Sequence, residues 1–97
     1  MPDLRPVLHG DVVAAGRALL AVPAAARPGL LARMLREADL ADEHRRATGR
    51  AHPVWGGGSL MATAMTRQRA PEPFLDDPDY AACLALIFSA LVARTGC

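Results

Sequence analysis

The sequence predicts an all-α fold: a small bundle of about four helices in one domain spanning residues 1–97, with a glycine-rich loop between the second and the third helix. Three observations lead to this prediction. The chain has 97 residues, the length of one small domain, and 52% of them are hydrophobic. Apolar residues recur at helical spacing in four segments that Gly and Pro residues separate. No segment alternates between apolar and polar residues as strands do, so we predict no strands.

The first helix is predicted over residues 11–21. The carboxylate of Asp11 would cap its beginning, and Pro23 would end it, because proline cannot continue a helix. Apolar positions with a period of 3.6 residues share one face of this helix: Val12, Val13, Gly16, Leu19 and Leu20.

The second helix is predicted over residues 28–48, and Gly49 is a natural residue to end it. Leu40 falls on the polar face and is the one violation of the pattern. The apolar stripe consists of Leu30, Leu31, Met34, Leu35, Ala38 and Ala41. Two pairs of opposite charge lie four residues apart, where side chains on a helix can meet: Arg33 with Glu37, and Asp42 with Arg46.

The third helix is predicted over residues 59–67, directly after a run of three glycines. Ser59 is suited to cap its first turn, because a serine hydroxyl can accept a backbone N–H. Its predicted buried face consists of Leu60, Met61, Ala64 and Met65.

The fourth helix is predicted over residues 78–94, with Asp77 as its cap, Pro78 in its first turn and Gly96 as its end. One arc of this helix carries the large side chains: Tyr80, Leu84, Ile87, Phe88, Leu91 and Val92. The opposite side is also apolar, so we expect the helix to lie centrally or at a contact between subunits.

Composition limits the classes of function. The net charge is +1, which argues against a large binding surface for nucleic acid. All 11 basic residues are arginine, which either a GC-rich genome or selection for bidentate anion contacts would explain. Cys83 and Cys97 do not form a disulfide framework, so a reducing cytoplasm fits best. The longest apolar run, residues 81–93, is too short to span a bilayer, and we expect no membrane association.

The loop after the second helix is the sharpest functional signal. A glycine run before a helix presents free N–H groups to an anion, and nearby arginines can complete such a site. The predicted anion-binding residues are Arg45, Arg46, Arg50, Gly57, Gly58 and Ser59. P-loop spacing is absent and the chain has no lysine. The alternative is a tight turn in which Trp55 packs into the bundle and Ser59 is an ordinary cap.

No arrangement of residues predicts catalysis or a cofactor. Ser59, Ser89 and Cys83 lack a neighbouring base, and the three histidines lack the spacing of metal ligands, so we expect neither an enzyme nor a metal site. A helix-turn-helix interpretation would need a connection of about three to four residues between the second and third helices, and this one has about ten. Nucleic-acid binding is therefore not our first expectation.

Several apolar side chains are predicted to form a contact surface: Leu40, Trp55, Met61, Met65 and Leu86. Exposed methionines adapt to varied partners. The function we expect is therefore a non-enzymatic helical module that binds a protein partner or forms a homo-oligomer. The alternatives are a phosphate-bearing small molecule or a nucleic acid bound at the Arg/Gly-rich loop, and a monomer whose own loops cover these side chains.

Three stretches of the chain carry a resemblance to known proteins: residues 44–61, from His44 through the glycine run to Met61, residues 72–80, and residues 5–12. The chain resembles a family of small alphaproteobacterial proteins of the domain-of-unknown-function type. The resemblance implies a bacterial cytoplasmic protein that stands alone, and it implies no activity.

Overall fold

The computed structural model describes residues 6–95, which contain four α-helices and one 3₁₀ turn. The elements in chain order are α1 (His9–Leu20), the 3₁₀ turn (Ala24–Ala26), α2 (Arg27–Thr48), α3 (Leu60–Ala64) and α4 (Pro78–Thr95). Within residues 6–95 no strand forms, and one isolated bridge joins His52 to Gly56. The prediction of an all-α bundle of about four helices is confirmed.

α1 is the central element, since it packs against α2, α3 and α4. Its buried face includes the predicted Val12, Gly16 and Leu19. A Cβ atom at Gly16 would lie 2.9 Å from a methyl carbon of Leu84 and 3.2 Å from the ring of Tyr80. The absence of a side chain at Gly16 therefore allows α4 to approach α1 closely.

α1 begins at His9, two residues before the predicted start, and Asp11 is not its capping residue. Leu8 is the N-cap and Asp11 lies in the first turn, where its side chain is 4% exposed. One carboxylate oxygen, Oδ2, accepts the N–H of Leu8 at 2.7 Å, and the other, Oδ1, accepts the N–H of Met61 at 2.9 Å. A single carboxylate therefore accepts one backbone N–H at the beginning of α1 and one at the beginning of α3.

α2 carries its predicted stripe inward and ends as predicted at Gly49, which has φ 74°. The ion pair between Asp42 and Arg46 is confirmed, at 3.0 Å. The expected pair of Arg33 with Glu37 is wrong. Glu37 is half-buried and binds Arg67, which follows α3, at 2.8 Å, whereas Arg33 is exposed.

α3 is shorter than predicted and ends at Ala64. Ser59 caps it as predicted, and its Oγ accepts the N–H of Ala62 at 3.1 Å. The predicted buried face is only half right, because Met61 and Met65 are exposed while Thr63 is buried. The Thr63 hydroxyl donates to the carbonyl of Leu60 at 3.0 Å, which removes the cost of burying it.

α4 has the predicted cap, since Oδ1 of Asp77 accepts the N–H of Tyr80 at 2.9 Å. Tyr80, Cys83 and Ile87 are buried, but Phe88 and Val92 are exposed although they belong to the predicted inward arc. The arc is wider than the surface that the other helices cover. The expected helix end at Gly96, and Cys97, lie outside the described residues.

The segment between α3 and α4 is held against α1 and α4 by polar contacts. Arg17 and Ala70 exchange two hydrogen bonds, one from Nε of Arg17 at 2.8 Å and one from the N–H of Ala70 at 3.0 Å. The buried hydroxyl of Tyr80 donates to Glu72 at 3.1 Å. Burial and the Glu72 carboxylate raise the pKa of Tyr80, so this hydroxyl keeps its proton and remains a donor.

We predict that Asp11→Ala lowers the free energy of unfolding by about 2–4 kcal/mol, because it removes the charged acceptor of two N–H groups, one at the beginning of α1 and one at the beginning of α3. Asp76→Ala is the control, since Asp76 is exposed, and it should change stability by less than about 0.5 kcal/mol. Urea unfolding followed by circular dichroism measures both variants. Equal stability of the two variants would contradict the role of Asp11.

Candidate functional site

The loop after α2 contains a turn, residues 52–56, that closes on the ring of His52. The N–H of His52 donates to the carbonyl of Gly56 at 2.8 Å, and the N–H of Gly56 donates back at 3.0 Å. Nδ1 of His52 accepts the N–H groups of Val54 and Trp55 at 3.1 and 3.2 Å. The ring nitrogen thus accepts two backbone donors of the turn and holds the turn against the ring.

Aromatic rings attach this turn to the end of α2. The rings of His52 and Trp55 are stacked, with centroids 4.6 Å apart, and the ring of His44 meets His52 edge-on at 5.2 Å. These three residues, with Leu40, Glu43, Arg46 and Ala47, line an open depression of about 730 Å³. Trp55 therefore forms part of a surface beside α2 and is only half-buried.

Gly58 marks the closest approach of the loop to α2. Its φ is 99°, and a Cβ atom there would lie 2.7–2.9 Å from the backbone and Cβ of Asp42. Both the backbone conformation and the space therefore exclude other residues at this position. Gly58 fixes the distance between the loop and α2.

The carboxylate of Asp42 is buried and binds two arginines. Arg45 donates to it at 2.7 Å and Arg46 at 3.0 Å, and Nε of Arg45 also donates to the carbonyl of Gly57 at 3.2 Å. Burial alone would raise the pKa of Asp42, but the hydrogen bonds and charges of the two arginines outweigh it and hold that pKa below its usual value. Asp42 is therefore ionised at neutral pH.

The structure places the six residues of the predicted anion site in three environments. Arg45 and Arg46 bind Asp42, and Gly57 turns its carbonyl, not its N–H, toward Arg45. Ser59 caps α3, and Arg50 is exposed beyond the end of α2. The N–H groups of Met61 and Ala62 at the beginning of α3 are bonded to Asp11 and Ser59. The carboxylate of Asp11 thus accepts an N–H group at the beginning of α3, and the carboxylate of Asp42 lies between Arg45 and Arg46.

The five residues of the predicted contact surface fall in different places. Leu40 and Trp55 line the depression beside α2. Met61 and Met65 are exposed on and after α3, where the Met61 side chain lies over Gly10. Leu86 is half-buried and packs against the hydrophobic core.

A second concave surface was not foreseen, and we call it the apolar groove. It has a volume of about 450 Å³ and lies between the beginning of α1, the loop before α4, and α4 itself. Its lining is Val7, Leu8, His9, Val12, Val13, Leu75, Tyr80, Leu84, Phe88 and Leu91. Leu8 is 67% exposed, Leu75 68% and Phe88 53%. The signal in the sequence was the excess of large apolar residues on α4.

Metal-ligating side chains do not converge among residues 6–95. In that part of the chain no group of three or more His, Cys, Asp or Glu side chains could hold a metal ion. Cys83 is buried, and its burial raises the pKa of the thiol, so the thiol is protonated and unreactive at neutral pH. No helix within residues 6–95 has the length and apolar character needed to cross a membrane.

Residues 5–91 match the family model of DUF7742, a domain of unknown function, and the chain therefore belongs to that family. The match covers all four described helices except the last residues of α4. Neither the curated proteins nor the solved structures contain a match to the chain. The predicted resemblance to a family of unknown function is confirmed to this extent.

We predict that Gly58→Ala lowers the free energy of unfolding by about 2–4 kcal/mol, because the new methyl group combines backbone strain with a collision against α2. Gly49→Ala is the matched control. Gly49 also has a positive φ, but no atom lies within 4 Å of the position of its Cβ. Gly49→Ala should therefore lower the free energy of unfolding by only about 1–2 kcal/mol. Urea unfolding compares the two, and a loss at Gly49 as large as that at Gly58 would contradict the close approach.

We predict that Asp42→Asn lowers stability at pH 7 by about 1–3 kcal/mol, because the two arginines lose a charged acceptor. The pKa of Asp42 is lower in the folded state than its unfolded value of about 4. The stabilisation by Asp42 is therefore fully present above about pH 4 and is lost as the pH falls through the folded-state pKa. Urea unfolding at pH 7 and pH 3 should show the difference between wild type and variant shrinking in acid. Asp76→Asn, at an exposed position, provides the control, and a difference that stays constant with pH would refute the assignment.

Proposed function

We propose that the chain, as a member of a family whose function is unassigned, is a non-enzymatic helical module that binds another protein through the apolar groove and the adjoining outer face of α4. The observation that supports this function best is the groove itself, in which large apolar side chains from three segments remain accessible to water. We further propose a bacterial, cytoplasmic setting, which agrees with the absence of a disulfide at the buried Cys83.

Burial of the groove residues by a partner would release water from apolar surface, which is favourable by about 25 cal/mol per Å². Single exposed apolar residues are common on proteins, but a contiguous set from separate segments is typical of interaction sites. Leu8, Leu75 and Phe88 form such a set around one concavity. The groove thus offers both the driving force and the shape for a protein contact.

The side chains that line the groove also indicate what kind of partner it would bind. No Asp, Glu, Lys or Arg lines it, and His9 is its one ionisable side chain besides Tyr80. Charged ligands find no counter-charge there, whereas apolar side chains of a second protein would fit. Binding through this surface should therefore depend little on salt concentration.

The second candidate is a phosphate-bearing small molecule or a nucleic acid at the Arg/Gly-rich loop. The depression beside α2 favours it, because Arg46, His44 and the stacked rings of His52 and Trp55 lie there together. Arg46 is already bound to Asp42, however, and Glu43 adds negative charge to the rim. We therefore rank this function second.

The test uses the tagged protein to capture proteins from a lysate of its source organism and compares variants at matched, exposed apolar positions. Leu75→Glu places a charge in the groove, whereas Val54→Glu and Leu40→Glu place one in the turn and beside the depression. We expect Leu75→Glu to lose a protein, or a second copy of the chain, that wild type and Val54→Glu retain. Loss with Leu40→Glu instead would move the binding surface to the depression.

Circular dichroism and urea unfolding first establish that each variant is folded. Identical captured proteins for wild type and Leu75→Glu would overturn the proposed function. If, in addition, inorganic phosphate or an oligonucleotide raises the melting temperature of the wild-type protein, the second candidate replaces it.

A further inference from the structure

The outer face of α4 carries a second apolar seam, separate from the side that packs in the core. Ala81, Ala85, Phe88 and Val92 recur at spacings of four, three and four residues, and we call them the outer seam. Ala81 is half-buried and the other three are exposed, whereas Tyr80, Cys83 and Ile87 face the core. This spacing is the one that brings apolar residues onto the contact line between two paired helices.

The surroundings of the outer seam are uncharged. No charged residue occurs from Tyr80 to Ala93, a stretch that is about 21 Å long in a helix. The positions beside the seam include Ala82 and Ser89, which are small and exposed. A solvent-facing helix normally carries charged residues on this side, and small residues there allow another helix to approach closely.

We propose that the outer seam binds a second copy of the chain, with the two α4 helices antiparallel about a two-fold axis. This inference rests on the proposed function and names the partner. An antiparallel pair centred between Ala85 and Phe88 places Ala85 opposite Phe88 of the second copy and Ala81 opposite Val92. Each small side chain then meets a large one, as close packing requires.

A parallel pair does not have this complementarity. It would place Ala85 opposite Ala85 and Phe88 opposite Phe88, which leaves a gap at one level and crowds the next. It would also align the two helix dipoles, whereas antiparallel helices oppose theirs. The order of side-chain sizes along the seam therefore selects one orientation.

Charges at the two ends of α4 agree with the same orientation. Asp76, Asp77 and Asp79 lie at its beginning and Arg94 near its end. Antiparallel pairing brings the acidic end of each helix beside the arginine-bearing end of the other. Asp79 remains 60% exposed although it binds Arg27 within its own chain. Arg94 already binds Asp39 at 2.7 Å and is 25% exposed, so this attraction between the ends supports the orientation only weakly.

The size of the contact predicts its strength. A strip about 21 Å long and about 10 Å wide is small beside the roughly 800 Å² per partner of a stable interface. The apolar groove adjoins the seam at Phe88 and enlarges the contact. We therefore expect a reversible dimer that forms at micromolar or higher concentration.

Sedimentation velocity of the full chain, from about 1 µM to about 1 mM, tests this inference. Wild type should pass from monomer to dimer within this range. Ala85→Glu should weaken association by roughly tenfold or more, because it places two carboxylates in the contact. Ala32→Glu is the matched control, since Ala32 is exposed on α2, and it should dimerise as wild type does.

Disulfide trapping tests the orientation. In a Cys97→Ser background, with Cys83 buried, a mixture of Ala81→Cys and Val92→Cys chains should form the mixed disulfide, and neither chain alone should cross-link. Cross-linking of each variant with itself would overturn the antiparallel arrangement.

A wild-type protein that remains monomeric over the whole range would overturn the dimer. In that case the proposed function stands if Leu75→Glu fails to capture a different protein that the wild type captures. If wild type and Leu75→Glu capture the same proteins, the dimer and the proposed function are both overturned.

Discussion

The position of α3 depends on the carboxylate of Asp11, which binds the beginnings of two helices. α3 has five residues, too few to form a stable helix alone, so tertiary contacts must hold it. Asp11 accepts the N–H of Met61 from α3 and the N–H of Leu8 from α1. With its beginning fixed in this way, α3 buries Leu60 and Ala64 in the core that α1 and α2 share. The bond thereby connects α3 to the packing of α1 with α2.

A second buried carboxylate, that of Asp42, connects α2 to the loop before α3. Its carboxylate holds Arg45 and Arg46, and Arg45 in turn donates to the carbonyl of Gly57 in the loop. The sequence pattern of arginines, glycines and a helix beginning is typical of an anion site because each part attracts negative charge. In this protein Asp11 and Asp42 supply that charge from within the chain. The same pattern therefore serves to stabilise the fold, which is why the second candidate function ranks below the first.

Sequence reasoning succeeded for several local interactions and missed those that join distant segments. Where a distant partner competes, it failed locally too, because Glu37 binds Arg67 and not the nearby Arg33. The caps of Ser59 and Asp77 and the end at Gly49 were predictable because each is set within about four residues of the chain. The bond of Asp11 to Met61 spans 50 residues and that of Arg67 to Glu37 spans 30, and neither distance leaves a periodic signal. The apolar groove was missed for the same reason, because its lining comes from three separate segments.

α4 shows how a correct pattern led to an incomplete inference. The sequence predicts a helix that is apolar nearly all round, and such a helix requires neighbours on every side. The described part of the chain provides neighbours for only one side, where Tyr80, Cys83 and Ile87 are buried. Phe88 and Val92 contribute little to the stability of the isolated chain, since water already reaches most of their surface. Both side chains lie on an exposed face of α4, and Phe88 also lines the apolar groove, so the pattern of α4 exceeds what the packing within residues 6–95 requires.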